Sequence, residues 1–174
     1  MGKSFSLEFF TFLQEEFFMA TSSSAKTTKS KAVTEATVGT KIPTAMIPRD
    51  LYADIVRLAA YNKIKKIRPQ SDSAILREAL TALMKHVGFK PGETDILATP
   101  KPAYAKKLAA IHQNAQLEGG VRKTFSVSTE DYEAAEAFAS YNKLHGLLPK
   151  NVSQLCRDAL TYYISTIDYK FRPE

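Results

Sequence analysis

Side chains that can bond to the edges of DNA bases alternate along residues 122–127. Arg122, Thr124 and Ser126 are separated by single residues, and the apolar Phe125 and Val127 flank Ser126. Alternate residues of a strand share one face, so this spacing predicts a strand with a polar face and an apolar face. On the polar face an arginine can donate two hydrogen bonds to guanine, and hydroxyls can bond to several bases. The alternative is an ordinary solvated strand end.

This segment has a counterpart eighty residues earlier in the chain. Residues 44–84 align without a gap on residues 124–164, and several positions, including two triplets, are identical. Such a repeat predicts a shared fold. In the earlier copy Ile42, Thr44 and Met46 occupy the positions of the three polar residues. Ile42 and Met46 could contact thymine methyl groups, or alternatively a protein core or partner.

Patterns typical of catalysis and metal binding are weak in this sequence. His86, His112 and His145 have no spacing that would form a metal site with Cys156, and no glycine-rich phosphate loop is present. We therefore expect no enzyme activity and no bound cofactor or metal. The single cysteine excludes an internal disulfide and fits a reducing, cytoplasmic compartment; a small buried hydrophobic role is its default.

The charge of the chain favours a polyanionic or acidic partner. The net charge is +6 and the pI is near 9.3. Residues 1–18 carry one lysine against three glutamates, which leaves +8 on the remainder. No apolar run reaches the roughly 18 residues of a membrane span, so no membrane partner is expected.

The N-terminal region, residues 1–40, is expected to be a flexible arm. Residues 20–40 are small and polar and would bury too little apolar surface to fold. The codons of residues 14–16 could contain a ribosome-binding sequence ahead of Met19, in which case residues 1–18 lie upstream of the true start. The alternative for this phenylalanine-rich stretch is a short amphipathic helix that docks on a partner.

Each copy of the repeat is predicted to form a strand followed by two helices. The first copy spans residues 41–87, the second spans 121–168, and 169–174 form a tail. The connecting residues 88–120 contain a predicted helix at 102–118. Pro48 is predicted at the first helical position, and Ser71 and Asn151 are predicted N-caps.

A single strand leaves its backbone donors and acceptors unpaired, so the two strands are expected to pair with each other. Antiparallel pairing with Thr44 near Thr124 at the centre would place four helices beneath the strands. The predicted fold class is mainly α with a short two-stranded antiparallel β-ribbon, the tandem repeats forming an intramolecular pseudo-dimer. Such a ribbon fits the major groove of B-DNA. The residues expected to face inward are Ala45, Ile47, Phe125 and Val127.

Two motifs carry a family resemblance. The sequence Ile-Pro-Arg-Asp-Leu at 47–51 and Ser-Asp-Ser-Ala-Ile-Leu-Arg-Glu-Ala-Leu at 71–80 resemble the ribbon-helix-helix family of Arc-, MetJ- and CopG-type DNA-binding proteins. Two copies in one chain resemble the tandem, TraY-like form of that family, over about 90 of the 174 residues. The resemblance implies base contacts from the outward strand residues, namely Arg122, Thr124, Ser126, Ile42, Thr44 and Met46. It also implies phosphate contacts at the starts of the second helices, namely Ser71, Asp72, Ser73, Asn151, Val152 and Ser153.

Lys63 and its counterpart Lys143 are further candidates for phosphate contact, or else parts of a solvated loop. The sequence also departs from the family pattern. The connection between the two helices is about six residues longer, Pro43 lies inside the first strand, and Ile42 and Met46 are apolar. Pro43 is expected to be tolerated because each strand of a two-stranded ribbon is an edge.

The sequence therefore predicts specific binding of double-stranded DNA through the ribbon. The expected role is that of a transcriptional regulator, such as a repressor, or an accessory protein at a plasmid or phage DNA site, for example in conjugation. The difference between the two strands predicts an asymmetric site, and binding of further copies at adjacent sites is left open. The alternative is a protein-interaction module that keeps the pseudo-dimeric core without reading DNA.

Overall fold

A computed structural model of the protein describes residues 39–115 and 119–167. The predictions for residues 1–38 of the N-terminal arm, for the start at Met19 and for the C-terminal tail lie outside these residues. The predicted arm ended at residue 40, and this boundary was wrong, because Thr40 lies in a strand that pairs with Ser128. The described part of the chain is mostly helical with short antiparallel strands, as predicted. None of its helices is both long and apolar enough to cross a membrane. The elements are β1 (Thr40–Lys41), β2 (Thr44–Pro48), α1 (Arg49–Lys65), α2 (Asp72–Val87), α3 (Pro102–Asn114), β3 (Gly120–Thr124), β4 (Val127–Ser128), α4 (Thr129–Leu144) and α5 (Val152–Thr166).

The strands pair between the two copies of the repeat. β2 pairs antiparallel with β3, and Thr44 lies opposite Thr124. β1 pairs antiparallel with β4, and Thr40 lies opposite Ser128. Both pairings share one register, so residues 40–48 and 120–128 form a single ribbon centred on Thr44 and Thr124, as predicted.

Pro43 explains why this ribbon is interrupted between its two strand pairs. The backbone N–H of Phe125 donates to the carbonyl of Pro43 at 3.0 Å. The reciprocal bond cannot form because proline has no N–H. Pro43 thus lies at a position that faces the partner strand, whereas its missing donor was expected at a free edge. The ribbon loses one hydrogen bond there and keeps its register.

The inner face of the ribbon is apolar and buried against the helices. The four residues predicted to face inward are at most 3% exposed, and they are Ala45, Ile47, Phe125 and Val127. α2 and α5 pack against each other beneath the ribbon, and α5 also packs on β2. Buried side chains from both copies form one hydrophobic cluster. The free energy of folding is therefore shared between the copies.

The helices begin at the residues that the sequence indicated, with one exception. The Ser71 side chain accepts a hydrogen bond from the N–H of Ala74, and Asn151 accepts one from Gln154, so both predicted N-caps are confirmed. These bonds satisfy donors that a helix start otherwise leaves unpaired. Pro48 is the last residue of β2 rather than the first of α1. The prediction placed it one residue too far into the helix.

Local geometry repeats at the eighty-residue offset. Lys66 after α1 and Gly146 after α4 both adopt positive φ angles, 56° and 69°. The backbone N–H of Ile67 bonds to the Asn62 carbonyl at 3.0 Å, and that of Leu147 bonds to the Asn142 carbonyl at 2.8 Å. The peptide bonds preceding residues 69 and 149 are both cis.

The inter-repeat helix α3 contacts both copies: Lys107 Nζ donates to the His86 carbonyl of α2 at 2.6 Å, and further polar contacts join α3 to the second copy. It ends at Asn114, which is earlier than the predicted residue 118. The Tyr104 hydroxyl donates to Asn142 Oδ1 at 2.6 Å, and this hydrogen bond is buried. His112 Nδ1 lies 2.8 Å from Oδ2 of Asp158, whose side chain is 1% exposed. α3 is therefore attached to both α4 and α5 by polar contacts in addition to its apolar face.

Candidate nucleic-acid interface

The outer face of the ribbon carries the six side chains predicted to contact bases. Because side chains alternate along each strand, these six lie on the face that points away from the buried inner residues. In the register of the ribbon Met46 lies opposite Arg122, and Thr44 lies opposite Thr124. Arg122, Thr124, Ser126, Ile42 and Met46 are exposed, and Thr44 is half-buried. The structure thus brings residues from two distant parts of the sequence onto one surface.

Two of these exposed side chains are apolar. Ile42 is 69% exposed and Met46 is 39% exposed. The sequence left open whether they enter the core, and their exposure shows that they do not. Leaving a large apolar side chain in water forgoes about 1.5–3 kcal/mol that burial would provide. These two residues are therefore available to a partner on the outer face.

Lys123 holds the ribbon to the helices and was not identified from the sequence. Its Nζ lies 2.8 Å from Asp72 Oδ2 and donates to the Tyr52 hydroxyl at 3.2 Å. It also lies over the Tyr52 ring, 5.1 Å from the centroid. The hydrogen bond to Asp72, followed by the one to Tyr52, raises the pKa of Lys123. Lys123 alternates with Phe125 and Val127 and therefore lies on the inner face of the strand, where a charge requires a partner. This alternation could have identified Lys123 from the sequence.

A second contact joins the ribbon to the start of α2. The backbone N–H of Ser126 donates to Ser73 Oγ at 2.9 Å. Together with the Lys123–Asp72 pair, this bond places the N-terminus of α2 beside the ribbon edge. The Ser73 hydroxyl therefore has a partner within the protein. A phosphate at this site would therefore be bound by backbone N–H groups of the first turn of α2, because these groups have no carbonyl acceptor within the helix.

The two predicted phosphate-binding helix starts differ in charge. At α2, residues 71–73 include Asp72, whose negative charge opposes an anion but is paired with Lys123. At α5, Asn151, Val152 and Ser153 include no acidic residue in the first turn. Asn151 is exposed, and its side chain is used as the N-cap of the helix. The positive end of the helix dipole is consequently less compensated at α5 than at α2.

Lys63 and Lys143 are exposed residues in the last turns of α1 and α4. A rise of about 1.5 Å per residue puts each lysine roughly 20 Å along the helix axis from the strand that precedes it. The connection after α1 is held to its last turns, because the Asn62 side chain donates to the Pro69 carbonyl at 2.7 Å. Phosphate contact by Lys63 and Lys143 stays a prediction. In and beside the ribbon, Lys41 and Arg49 are exposed cations that were not among the predicted phosphate contacts.

Other reactive groups lie apart from this surface. Cys156 is buried, and burial raises the pKa of its thiol to about 12, so the thiol is protonated at neutral pH. Within residues 39–115 and 119–167, no group of three or more histidine, cysteine, aspartate or glutamate side chains is arranged to hold a metal ion. Arg157 Nε lies 3.6 Å from Oδ1 of the buried Asp158 carboxylate. Arg77, its counterpart, is exposed.

Comparisons of the chain with protein-family models, curated proteins and solved structures found no match.

Proposed function

We propose that this chain is a tandem ribbon-helix-helix protein that binds double-stranded DNA by inserting its ribbon into the major groove. One observation carries the proposal. Strands from the two copies pair in one register about Thr44 and Thr124, and their outward side chains form a single exposed surface. Two-stranded ribbons are among the elements that the major groove admits.

A pseudo-dimer is the arrangement that best accounts for the repeat. Backbone geometry at the ends of α1 and α4 agrees at an offset of eighty residues, including the positive φ angles of Lys66 and Gly146. Buried residues from both copies contribute to one cluster. Each copy then supplies one strand and two helices, and neither copy covers its own apolar surface.

In this proposal, affinity and specificity come from different groups. Backbone N–H groups at the starts of α2 and α5, with the surplus positive charge of the chain, contact phosphates regardless of sequence. Outward ribbon side chains contact base edges and set the sequence preference. The setting we propose is a bacterial or mobile-element regulator, or an accessory protein at a plasmid or phage DNA site.

A salt series on duplex DNA of random sequence tests phosphate binding. The logarithm of the binding constant should fall linearly with the logarithm of the salt concentration, with a slope of about 0.9 per phosphate neutralised. A shallow slope, or no binding at low salt, would favour the protein-interaction module instead. The exposed Ile42 and Met46 would then serve a protein partner.

Variants then test whether the ribbon is the reading element. Arg122→Ala and Thr124→Ala should each weaken binding to a preferred site by about 1–3 kcal/mol and leave binding to random DNA nearly unchanged. Lys106→Ala, which removes an exposed cation of α3, is the matched control. If folded Arg122→Ala and Thr124→Ala proteins bound the preferred site as tightly as the parent, the ribbon would not read DNA.

A further inference from the structure

We propose that the two ends of the ribbon read different bases: a guanine beneath Arg122 and Met46, and a thymine beneath Ile42 and Ser126, about four base pairs apart. This inference rests on the proposed function and adds the chemistry of the target. It follows from the register of the ribbon, which sets different side chains opposite each other at each end. The ribbon centre, by contrast, carries threonine on both strands.

The Arg122 end has the chemistry of guanine recognition. Arg122 is exposed and makes no hydrogen bond or ion pair with the described residues, so its guanidinium is available to a ligand. Guanine presents two acceptors, O6 and N7, to the major groove, and arginine matches them with two parallel donors. Met46 lies opposite Arg122 and adds an apolar surface beside that contact. A carboxylate or amide at either position would have favoured another base.

The Ile42 end has the chemistry of thymine recognition. Ile42 is 69% exposed on the outer face, with no polar atom on its side chain to bond a base. Thymine carries the one methyl group that the major groove presents. On the opposite strand, the backbone of Ser126 is held in position because its N–H donates to Ser73 Oγ at 2.9 Å. The Ser126 hydroxyl can donate or accept and therefore tolerates several bases beside the thymine.

Spacing between the two contacts follows from backbone dimensions. Ile42 and Met46 are four residues apart, which is about 13 Å at the usual 3.3 Å per strand residue. Base pairs stack at about 3.4 Å, so the guanine and the thymine should lie about four base-pair steps apart. Because the central pair is Thr44 and Thr124, the difference between the ends makes the site non-palindromic.

The experiment begins with selection of preferred duplexes by the full chain and continues with modified bases. Replacing the thymine with deoxyuridine removes only the methyl group and should weaken binding about fourfold, the value of one buried methyl group. Replacing the guanine with 7-deazaguanine removes one acceptor and should weaken binding at least about fivefold. Both changes are made in the DNA, so the protein remains in its native form.

Protein variants assign each effect to its side chain. Ile42→Ala should bind the thymine and deoxyuridine probes equally, and Arg122→Gln should change the selected guanine to adenine, whose N6 and N7 suit a glutamine. Val56→Ala, which shortens an exposed apolar side chain of α1, should keep the parent's response to every probe.

The outcomes separate this inference from the proposed function. A chain that binds no duplex in the salt series refutes both. A chain that binds duplex DNA but selects a palindrome, or that ignores both modified bases, refutes the different readings of the two ends and leaves DNA binding in place. Sensitivity of the parent to deoxyuridine, lost in Ile42→Ala, supports the thymine contact directly.

Discussion

Removal of the His112 imidazole should destabilise the protein in a pH-dependent manner. His112 Nδ1 lies 2.8 Å from Asp158 Oδ2, and the Asp158 side chain is 1% exposed. The other carboxylate oxygen has no hydrogen-bond partner, and Arg157 Nε is 3.6 Å away from it. His112→Ala would therefore leave a buried carboxylate with no hydrogen bond from a side chain.

The expected cost at pH 7 is about 3 kcal/mol, at the low end of the range for breaking a buried pair. We choose the low end because the His112 side chain is 19% exposed, so water can partly replace it. For a chain of this size that cost corresponds to a decrease in Tm of roughly 10 °C.

The pH dependence follows from the direction of the Asp158 pKa. Burial raises that pKa, although the hydrogen bond from His112 opposes the rise. A raised carboxyl pKa means that the folded state binds the proton more tightly than the unfolded chain. The stabilisation that comes from protonated Asp158 is therefore fully present below the pKa of an unfolded aspartate, about 3.9, and is lost as the pH rises through the pKa of Asp158 in the folded state. Without His112 the folded pKa rises further, so the difference between variant and parent should grow from pH 4 to pH 7.

Urea unfolding followed by circular dichroism between pH 4 and pH 7.5 measures this difference. The matched control is Glu78→Gln, eighty residues before Asp158. Glu78 is exposed and accepts a 2.6 Å hydrogen bond from the Tyr163 hydroxyl, so this change should cost less than about 1 kcal/mol with no growth toward neutral pH. A loss in His112→Ala that is below 1 kcal/mol at pH 7, or equal at pH 4 and pH 7, would refute the reasoning.

Lys66→Gly should stabilise the protein by about 0.5–1 kcal/mol, because Lys66 has φ 56° where the counterpart Gly146 has 69°; no gain in urea midpoint would contradict this. Residues 41–87 expressed alone should be unfolded or should dimerise, because half of the ribbon has no partner; a folded monomer in sedimentation and circular dichroism would exclude the shared core. Asp72→Asn should tighten binding to random DNA by about two- to fivefold by removing a negative charge from the start of α2. Asp54→Asn, which affects only a pair on α1, is its control, and equal effects of the two changes would place the phosphates elsewhere.

The pairing of the strands could be predicted because its determinants are local and are repeated. Alternation of apolar residues at 45, 47, 125 and 127 specified the inner face, and the repeat specified which strand was the partner. Ser71 and Asn151 were recognised as N-caps because capping depends on only three or four adjacent residues. Pro48 was placed one residue too far, since a proline suits both the end of a strand and the start of a helix.

Side-chain contacts between distant elements, unlike the pairing of the strands, could not be predicted from the sequence. Alternation indicates that Lys123 faces inward and needs a partner, but neither spacing nor residue type identifies Tyr52 and Asp72 as the partners. The spacing of His112 argued against a metal ligand, but nothing in the sequence indicated its bond to Asp158 across 46 positions of the chain. Pro43 was correctly seen as unusual, but its effect depends on which direction its nitrogen faces in the ribbon.

The origin of both strands in one molecule has a consequence for how the protein can change over generations. A ribbon formed by two identical chains carries every substitution on both strands. A substitution that improves a contact at one end of the ribbon therefore also occurs at the other end. Here Ile42 and Arg122 are specified by separate codons. Selection can therefore alter either end of the surface alone, and dilution of the protein in a cell cannot separate the two strands.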